Sequence, residues 1–182
     1  EDAAEVLGLS YKNKKCGSFG NISIFSFYAN KQVTTGEGGM ISVNNLSLYK
    51  KCSSLRNLCF GKFNRFDHDD LGWNYRMTNI QASLGLSQLK NIKKVIKKKM
   101  DIGNYYFQKL KKNKNLQILP PSNSFSKNIY WVVGIVIKNK KIKVKTIMKK
   151  LLSYGIQTRS FFWPMNEQKI FKRLKIFDNS KY

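Results

Sequence analysis

A lysine between an apolar strand and a glycine-rich bend constrains this chain more than any other feature of its sequence. Residues 22–27 are rich in β-branched and aromatic side chains, which is typical of a buried strand, and Lys31 follows them. Residues 34–39 then hold three glycines, too many for the interior of a helix or a strand. Such a strand end presents a single amine inside a pocket, and we predict that Lys31 is that amine.

The chemistry of an enclosed amine follows from its partial loss of contact with water. Desolvation disfavours an ammonium ion, so an amine in such a place is a competent nucleophile toward an aldehyde. The glycines match neither a Walker A loop, because no Gly-Lys-Ser or Gly-Lys-Thr follows, nor a dinucleotide-binding fingerprint. We interpret residues 34–39 as a tight turn that leads into a second short strand, residues 40–43.

The net charge is the strongest signal in the composition. The 182 residues carry a formal net charge of +24, which raises the hypothesis of nucleic-acid binding. Most of the basic residues are lysines, however, whereas specific readers of nucleic acid rely on arginine. We therefore favour a solvated, lysine-coated surface and keep a basic nucleic-acid-binding protein as the less favoured alternative.

The cysteines and the hydropathy pattern bound the cellular setting. The three cysteines are odd in number and form no Cys-x-x-Cys pair, which indicates free, buried thiols in a reducing cytoplasm. The longest apolar run, residues 129–137, is far shorter than the roughly 18 residues that indicate a membrane span. We expect a cytoplasmic protein without a membrane segment. Because the chain starts at Glu1 without a methionine, we also expect an internal or C-terminal fragment.

Hydrophobic periodicity predicts two unequal parts. The predicted elements beyond the first two strands are a helix over residues 46–58, a long helix from Thr78 to about Lys112 broken near Gly103, a strand over residues 129–137, and a helix over residues 144–153 that Gly155 stops. A proline loop at residues 119–122 marks the boundary. We expect an α/β layer structure over residues 1–115 and a smaller α+β lobe over residues 116–182, with the long helix between them.

The long helix is predicted to be amphipathic. It carries lysines on one face and an apolar stripe on the other, and the stripe consists of Ile80, Leu84, Leu86, Leu89, Ile92, Val95 and Ile96. The lysine face, residues 90–99, is predicted to be solvated. A minor alternative for that face is electrostatic attraction of a nucleotide diphosphate.

Three separate blocks of this sequence resemble a known family. Residues 1–5 (Glu-Asp-Ala-Ala-Glu), residues 26–40 around Lys31, and residues 71–79 are similar, in order and spacing, to the DegT/DnrJ/EryC1/StrS nucleotide-sugar aminotransferases. Residues 161–165 also resemble a loop of the perosamine synthetases in this group. The resemblance covers nearly the whole chain. It implies a fold-type I, aspartate aminotransferase-like enzyme that depends on pyridoxal 5'-phosphate, represented here by part of the large domain and a small C-terminal domain.

The resemblance implies roles for five residues around the cofactor. Lys31 matches the lysine that binds pyridoxal phosphate covalently, and Asp2 matches the aspartate that pairs with the pyridine nitrogen; both are the catalytic candidates. Ser26 matches a hydroxyl on the cofactor phosphate, and Glu5 stands where members carry a polar residue close to the cofactor. Asn74 matches an asparagine that reaches the neighbouring subunit's cofactor, which implies a homodimer with shared active sites.

Four further residues lie toward the substrate by the same resemblance. Tyr28 stands where several members of the family carry histidine, and Asn166 stands where histidine is expected, which puts the sugar specificity in doubt. Arg76 is a candidate to neutralise an anionic substrate group, and Trp163 is a candidate wall for the sugar and base. His68 is the single histidine, and the carboxylates near it are its direct neighbours in one loop. Ligands from adjacent residues rarely converge on one ion, so we predict no metal site.

The implied reaction is a transamination. An amino group from L-glutamate passes to a nucleotide-diphosphate-linked keto-deoxysugar, with GDP-4-keto-6-deoxymannose giving GDP-perosamine as the leading hypothesis, for surface polysaccharides such as O-antigen. Asp2 would keep the pyridine nitrogen protonated, and Lys31 would act as the general base. An alternative is a cofactor-binding regulator or sensor of the same fold without turnover, against which the presence of both Asp2 and Lys31 argues.

Overall fold

The structure is a computed structural model that describes residues 1–64 and 66–176. The chain forms two compact units. Unit 1 comprises Glu1–Lys112 with Ile118–Val133, and unit 2 comprises Asn113–Gln117 with the residues from Gly134 onward. Residues 177–182 of the predicted C-terminal lobe lie outside the described residues. The three cysteines are free thiols, but the prediction that they are buried is right only for Cys59, because Cys16 and Cys52 are half-buried.

The secondary structure alternates short strands with helices of up to 19 residues. In chain order the elements are β1 (Ser10–Tyr11), β2 (Lys14–Lys15), β3 (Ile22–Ser26), β4 (Gly39–Val43), α1 (Leu46–Arg56), α2 (Asn79–Leu89), α3 (Ile92–Leu110), β5 (Leu116–Ile118), β6 (Ile135–Ile137), α4 (Val144–Ser153), a 3-10 helix (Met165–Glu167) and α5 (Lys169–Leu174). Within the described residues the strands pair as β1 with β2, β3 with β4, and β5 with β6.

The predicted pair of strands around the glycine bend is confirmed. β3 and β4 pair antiparallel, with Ser26 opposite Gly39. The start of the chain lies along the other edge of β3, where the Ala3 amide donates to the Ile24 carbonyl at 2.9 Å. The strand was expected to be buried, and only one of its faces is: Ser23 is 1% exposed, whereas Ile24 is 44% exposed. Successive side chains of a strand point to opposite faces, and only one face is covered.

Helix α1 confirms the helix predicted over residues 46–58, with its end at Arg56. The Asn45 side chain caps its start by accepting hydrogen bonds from the amides of the first turn. Two carbonyls of the last turn are satisfied by a returning loop, because the Trp73 amide donates to Leu55 at 2.7 Å and the Tyr75 amide donates to Arg56 at 3.0 Å. Because Trp73 and Tyr75 are both anchored to the end of α1, the backbone of Asn74 between them is held in place.

The predicted long helix is two helices, and the position predicted for the break is wrong. A capping box between Thr78 and Gln81 starts α2 as expected. The chain breaks at Lys90 and Asn91, between α2 and α3, and Gly103 lies inside α3. Gly103 serves packing instead: a Cβ there would lie 2.2 Å from Cδ2 of Tyr130, so any larger residue would displace that ring.

The strand predicted over residues 129–137 is wrong in its first half. Tyr130 has a φ of 48°, and its amide donates to the Asn128 side chain at 2.9 Å. This left-handed turn breaks the extended backbone, so the strand begins only at Ile135. Ile129 and Tyr130 are 6% and 5% exposed.

The burial of residues 129 and 130 explains why Ile118–Val133 clusters with unit 1 rather than with the C-terminal part. The predicted division at residue 115 therefore differs from the compact units, and the domain assignment stays a prediction.

Unit 2 contains the predicted helix α4 and its predicted stop. The amides of Gly155 and Ile156 donate to Leu152 and Leu151 at 2.9 and 3.0 Å, which closes the last turn as a Schellman motif. Strand β5, whose first two residues belong to this unit, pairs with β6 and was not predicted. Within the described ranges, no helix has the length and apolar character that crossing a bilayer would require.

Candidate active site

Lys31 is the most enclosed charged group among the candidate residues. Its side chain is 9% exposed, and its Nζ lies 3.3 Å from Oε1 of Glu5, whose own side chain is 47% exposed. On another side, Nζ lies 3.9 Å from the centroid of the Trp131 ring. The Lys31 amide donates to the Tyr28 carbonyl at 3.0 Å, so a tight turn carries the side chain. A carboxylate and an aromatic face are thus the described neighbours of this amine.

The residues on either side of Lys31 hold the two groups that contact its amine. Gln32 is 4% exposed, and its Nε2 donates to the backbone carbonyl of Glu5 at 3.2 Å. The Asn30 carbonyl accepts a hydrogen bond from Nε1 of Trp131 at 3.1 Å. The chain segment that carries the lysine therefore also anchors both of its partners. Trp131 was not among the predicted site residues.

Asp2 and Ser26 share one face of the β3 sheet. Asp2 pairs with Ile24 in a parallel bridge, and paired residues point to the same face. Ser26 is the next residue of β3 on that face, about 7 Å further along the strand. Oδ1 of Asp2 accepts from the Ala4 amide at 3.0 Å, and Oγ of Ser26 accepts from the Tyr28 amide at 3.3 Å. The Asp2 carboxylate, the Ser26 hydroxyl and the turn that carries Lys31 therefore follow one another along the direction of β3.

Glu1 positions Asp2, and sequence reasoning missed it. Its carboxylate accepts hydrogen bonds from the amides of Gly17 at 2.7 Å and Phe19 at 2.8 Å. The Ser23 hydroxyl donates to the same carboxylate at 3.3 Å. The backbone N–H group of Gly17 is the main cause that lowers the pKa of Glu1 below its ordinary value of 4.5. These bonds tie the segment that contains Asp2 to the loop before β3.

The glycine bend is closed by its own backbone. The Thr35 amide donates to the Phe27 carbonyl at 2.9 Å, and the Phe27 amide donates to the Gly38 carbonyl at 2.9 Å. Gly38 has a φ of 149°, and a Cβ there would lie 2.5 Å from Oγ1 of Thr35. An L-residue at this position would be strained and would press on that hydroxyl. The predicted tight turn between two strands is confirmed.

One face of α2 braces this bend. Gln88 makes two hydrogen bonds to the backbone of Thr34: its Oε1 accepts from the amide at 3.1 Å, and its Nε2 donates to the carbonyl at 2.6 Å. Nε2 of Gln81 donates to the Glu37 carbonyl at 3.1 Å. Gly85, which lies between the two glutamines on the same helix face, is buried.

The predicted apolar stripe of α2 lies away from the bend. Its members on this helix are exposed by 40% to 75%, and they are Ile80, Leu84, Leu86 and Leu89. An amphipathic helix normally buries its apolar face. Here the polar face is used, because the backbone groups of the bend need hydrogen-bond partners that apolar side chains cannot supply.

Asn74 and Arg76 lie on the returning loop after α1, residues 71–77, and both are exposed. Nε of Arg76 donates to Oδ1 of Asn74 at 3.2 Å, and Asn74 forms a bridge with Asn57. Arg76 also lines an open cleft of about 430 Å³ together with Asn57, Phe60, Gly61, Lys62 and Phe63. Within the described residues, no hydrogen bond or ion pair joins this loop to Lys31. The structure therefore does not bring these two predicted site residues to the amine.

The remaining substrate candidates lie in both units. Tyr28 is 48% exposed and directly precedes the turn that carries Lys31. In unit 2, Trp163 is 67% exposed and its Nε1 donates to the Glu167 carbonyl at 3.0 Å. Asn166 lies in the adjacent 3-10 helix. The assignment of these residues to the sugar side stays a prediction.

His68 has a structural environment. Its Nδ1 lies 2.6 Å from the Leu58 carbonyl, and its ring packs against Phe60 with centroids 5.0 Å apart. The nearby Asp70 pairs with Lys51 at 2.6 Å, and this hydrogen bond lowers the pKa of the Asp70 carboxyl. Across residues 1–64 and 66–176, no three His, Cys, Asp or Glu side chains come together as a metal-binding group.

A strand-end carboxylate, a hydroxyl on the same sheet face and an enclosed lysine are the groups that the resemblance to fold-type I pyridoxal-phosphate-dependent enzymes predicts for the cofactor site. The sequence model of the DegT/DnrJ/EryC1/StrS aminotransferase family matches residues 1–180. This chain belongs to that family. The predicted resemblance and the predicted fold class are both confirmed.

Curated relatives and solved structures of sugar aminotransferases match almost the whole chain. The GDP-perosamine synthase of Escherichia coli O157:H7 is 37% identical over 169 residues, which is 91% of this chain and 44% of that protein. The structure of PseC from Helicobacter pylori, an aminotransferase of pseudoaminic acid biosynthesis, has a TM-score of 0.88 and 30% identity, and the match covers 99% of this chain and 49% of that one.

The putative sugar aminotransferase Spr1654 from Streptococcus pneumoniae, in its PLP form, has a TM-score of 0.86 and 25% identity. That match covers 100% of this chain and 47% of the solved chain. The chain described here thus spans less than half the length of the curated relatives that it matches.

The residues present fit pyridoxal phosphate in their chemistry. An aldehyde requires a primary amine, and Lys31 offers one that is largely shielded from water. A protonated ring nitrogen requires a carboxylate, and the exposed Asp2 lies on the same sheet face as Ser26, whose hydroxyl suits a phosphate. The three groups come from one strand, its parallel neighbour and the turn that follows.

Proposed function

We propose that this chain contributes to the active site of a pyridoxal-phosphate-dependent aminotransferase that acts on nucleotide-linked keto-sugars. The observation that carries the proposal is the enclosed Nζ of Lys31, at the end of the strand that Asp2 and Ser26 share. Membership of the aminotransferase family and the likeness to sugar aminotransferases support it. A nucleic-acid-binding protein is not favoured, since neither the family nor the relatives point to it.

Asp2, Ser26, Lys31 and Glu5 would hold the cofactor. Bound pyridoxal phosphate would supply an electron sink for the negative charge that develops when a carbon next to the amino group loses its proton. The Asp2 carboxylate would keep a proton on the ring nitrogen, and the Ser26 hydroxyl would donate a hydrogen bond to the phosphate. Glu5 would orient the amine of Lys31, as its Oε1 does at 3.3 Å.

Lys31 would also move the proton of the reaction. Its Nζ would take the proton from the substrate carbon and return it at a neighbouring position, as a general base and then a general acid. The low exposure of the side chain supports this role, because an enclosed amine exchanges its proton with bulk water less readily. The Trp131 ring covers the amine on one side and would exclude water there.

The substrate we propose is GDP-4-keto-6-deoxymannose, with L-glutamate as the amino donor and GDP-perosamine as the product for surface polysaccharides. GDP-perosamine synthases are among the most similar relatives, at 35% to 37% identity. Tyr28, Arg76, Trp163 and Asn166 would line the sugar side. We further propose a homodimer with shared active sites, which the outward exposure of Asn74 supports.

Covalent trapping tests the proposal. The full-length protein is incubated with pyridoxal phosphate, reduced with borohydride and digested, and the modified peptide is identified by mass spectrometry. We expect the label on Lys31, and Lys31→Ala should abolish it. Formation of an amino-sugar is then measured with glutamate and the GDP-linked keto-sugar. No label on Lys31 would reject the proposal, and a label without amino transfer would favour the sensor alternative.

A further inference from the structure

The ring of Trp131 faces the amine of Lys31 across 3.9 Å. We infer that Trp131 is a positioning residue: its ring face holds the Lys31 amine beside Glu5, in the place from which the amine captures the cofactor. This inference rests on the proposed function. Trp131 lies far from the three sequence blocks that indicate the family, and the amine's other described partner, Glu5, lies within one of them.

The indole of Trp131 is held in place from several directions. Its Nε1 donates to the Asn30 carbonyl at 3.1 Å, so the ring is tied to the residue before Lys31. Its own carbonyl accepts a hydrogen bond from Nζ of Lys99 at 3.1 Å. The preceding residue, Tyr130, is 5% exposed and packs into the gap that Gly103 leaves on α3. Both the ring and the backbone of Trp131 are therefore fixed.

Lys99 departs from the pattern of its helix to make this contact. The lysine face of residues 90–99 was predicted to be solvated, and Lys97 fits that prediction, with a side chain that is 78% exposed. Lys99 is half-buried instead, and desolvation lowers its pKa. The half-buried ammonium of Lys99 thus ties the backbone of Trp131 to α3 through the Trp131 carbonyl.

The contact restrains a flexible side chain. A lysine stem has several rotatable bonds, and an ammonium group is attracted to the face of an indole. With the ring on one side and the Glu5 carboxylate at 3.3 Å on the other, the amine has few alternative positions. Once the positioned ammonium has given up a proton to water, the free amine reacts faster with an aldehyde, because less orientational freedom is lost on the way to the transition state. An aliphatic residue at position 131 would not offer this attraction.

The experiment compares two variants of Trp131 with a matched control in the full-length protein. Trp131→Leu removes the aromatic face, and Trp131→Phe keeps one. Tyr105→Leu is the control, since it removes an aromatic ring that lies 5.4 Å from Nζ of Lys109 on an exposed part of α3.

Two quantities are measured for each protein. The first is the rate at which pyridoxal phosphate becomes trapped on Lys31 by borohydride, followed by mass spectrometry. The second is the dissociation constant for pyridoxamine 5'-phosphate, which has no aldehyde and reports on the pocket alone.

We expect Trp131→Leu to slow trapping on Lys31 about tenfold, the scale of a cation–π contact that is largely removed from water. Trp131→Phe should stay within about threefold of wild type, and Tyr105→Leu should match wild type. The affinity for pyridoxamine phosphate should be the same in all four proteins, because the ring acts on the amine and not on the cofactor.

Three results would overturn the inference. Trapping by Trp131→Leu at the wild-type rate would remove any positioning role. A parallel loss of pyridoxamine phosphate affinity would show that Trp131 supports the pocket as a whole. Equal slowing in Trp131→Phe and Trp131→Leu would show that the aromatic face is irrelevant. If wild-type protein itself is not labelled on Lys31, the proposed function fails first, and this inference fails with it.

Discussion

Two loops of unit 1 each carry two or more candidate site residues and differ in what surrounds the side chains of those residues. The lysine loop, residues 27–38, is closed by backbone hydrogen bonds, braced by Gln88 of α2, and encloses Lys31 to 9% exposure. The asparagine loop, residues 71–77, is anchored equally well through its backbone to the end of α1. Its functional candidates, Asn74 and Arg76, are nevertheless exposed and bond to each other.

The difference in exposure between Lys31 and Asn74 shows which part of the candidate site unit 1 completes by itself. The amine of Lys31 has both a carboxylate and an aromatic face supplied from within unit 1. Asn74 has a rigid position but no described contact with that amine. A loop whose backbone is fixed and whose polar side chains are exposed is suited to contact a group on another molecule, such as a second subunit. This is the arrangement that the proposed shared active site requires.

The largest effect is expected from the lysine loop. Lys31→Ala should lower amino transfer by about 10⁴-fold, because both the covalent attachment and the proton transfer depend on this amine. Lys97→Ala is the matched control, since that side chain is 78% exposed and lies on the same unit. Turnover with glutamate and the keto-sugar is the measurement. A Lys31→Ala protein that retains more than a few per cent of wild-type turnover would place the reactive amine elsewhere.

The asparagine loop should behave as a group that works in the partner's site. Asn74→Ala should lower turnover about 30-fold, the loss of one hydrogen bond to a charged group. Mixing Lys31→Ala with Asn74→Ala subunits after dissociation should restore activity to about one quarter of wild type. Random pairing gives mixed dimers in about half of the molecules, and each has one intact site of two.

Activity no higher than the average of the two variants would show that Asn74 acts within its own subunit. The contrast between the two loops would then lose its functional meaning. Mixing wild-type with Lys31→Ala subunits provides the control for the exchange procedure.

A stability effect should distinguish the brace of the lysine loop from the rest of α2. Gln88→Leu leaves the backbone amide and carbonyl of Thr34 without their partners, which should cost about 1–3 kcal/mol in the free energy of unfolding. Ser87→Ala is the control, because the hydrogen bond described for that hydroxyl lies within its own helix, to the Leu84 carbonyl. Urea unfolding of the full-length protein measures both. Equal stability of the two variants would show that the bend needs no brace from α2.

The smallest expected effect is a pH dependence of the hydrogen bonds between the Glu1 carboxylate, which positions Asp2, and the amides of Gly17 and Phe19. The pKa of Glu1 is lowered in the folded chain, chiefly by the Gly17 amide. The ionised Glu1 carboxylate therefore stabilises the folded chain fully above its ordinary pKa of 4.5, and this stabilisation is lost as the pH falls through the lowered pKa. The protection of the Gly17 and Phe19 amides from hydrogen exchange, measured relative to an unstructured peptide at the same pH, should fall in that acid range, whereas a Glu1→Gln variant should show no such step. Protection that is constant across the range would contradict the role of this carboxylate.

Much of the local structure could be predicted from residue patterns. The two strands around the bend, helices α1 and α4, and the stop at Gly155 follow from local periodicity and caps, which depend on neighbours a few residues apart. The family was identifiable for a similar reason, because its functional residues form compact blocks. Lys31 could be singled out because an apolar strand and a glycine bend adjoin it in the sequence.

The rest depends on contacts between distant residues. The Trp131 indole donates to Asn30 at a separation of 101 residues, and no local pattern contains that pairing. Gly103 was interpreted as a helix break because glycine has low helix propensity, yet the helix continues through it to make room for Tyr130. Its role depends on a ring that no local window includes.

Sequence alone determined which residues are the candidates for the chemistry and predicted most of the short elements that hold them. Only the tertiary structure decided that α2 uses its glutamine face, that Trp131 covers the amine, and that Asn74 is exposed. The physical reason is that hydrogen-bond demand and close packing are satisfied over the whole fold. A residue's spacing along the chain reveals its own helix or strand, but not which distant side chain will meet it.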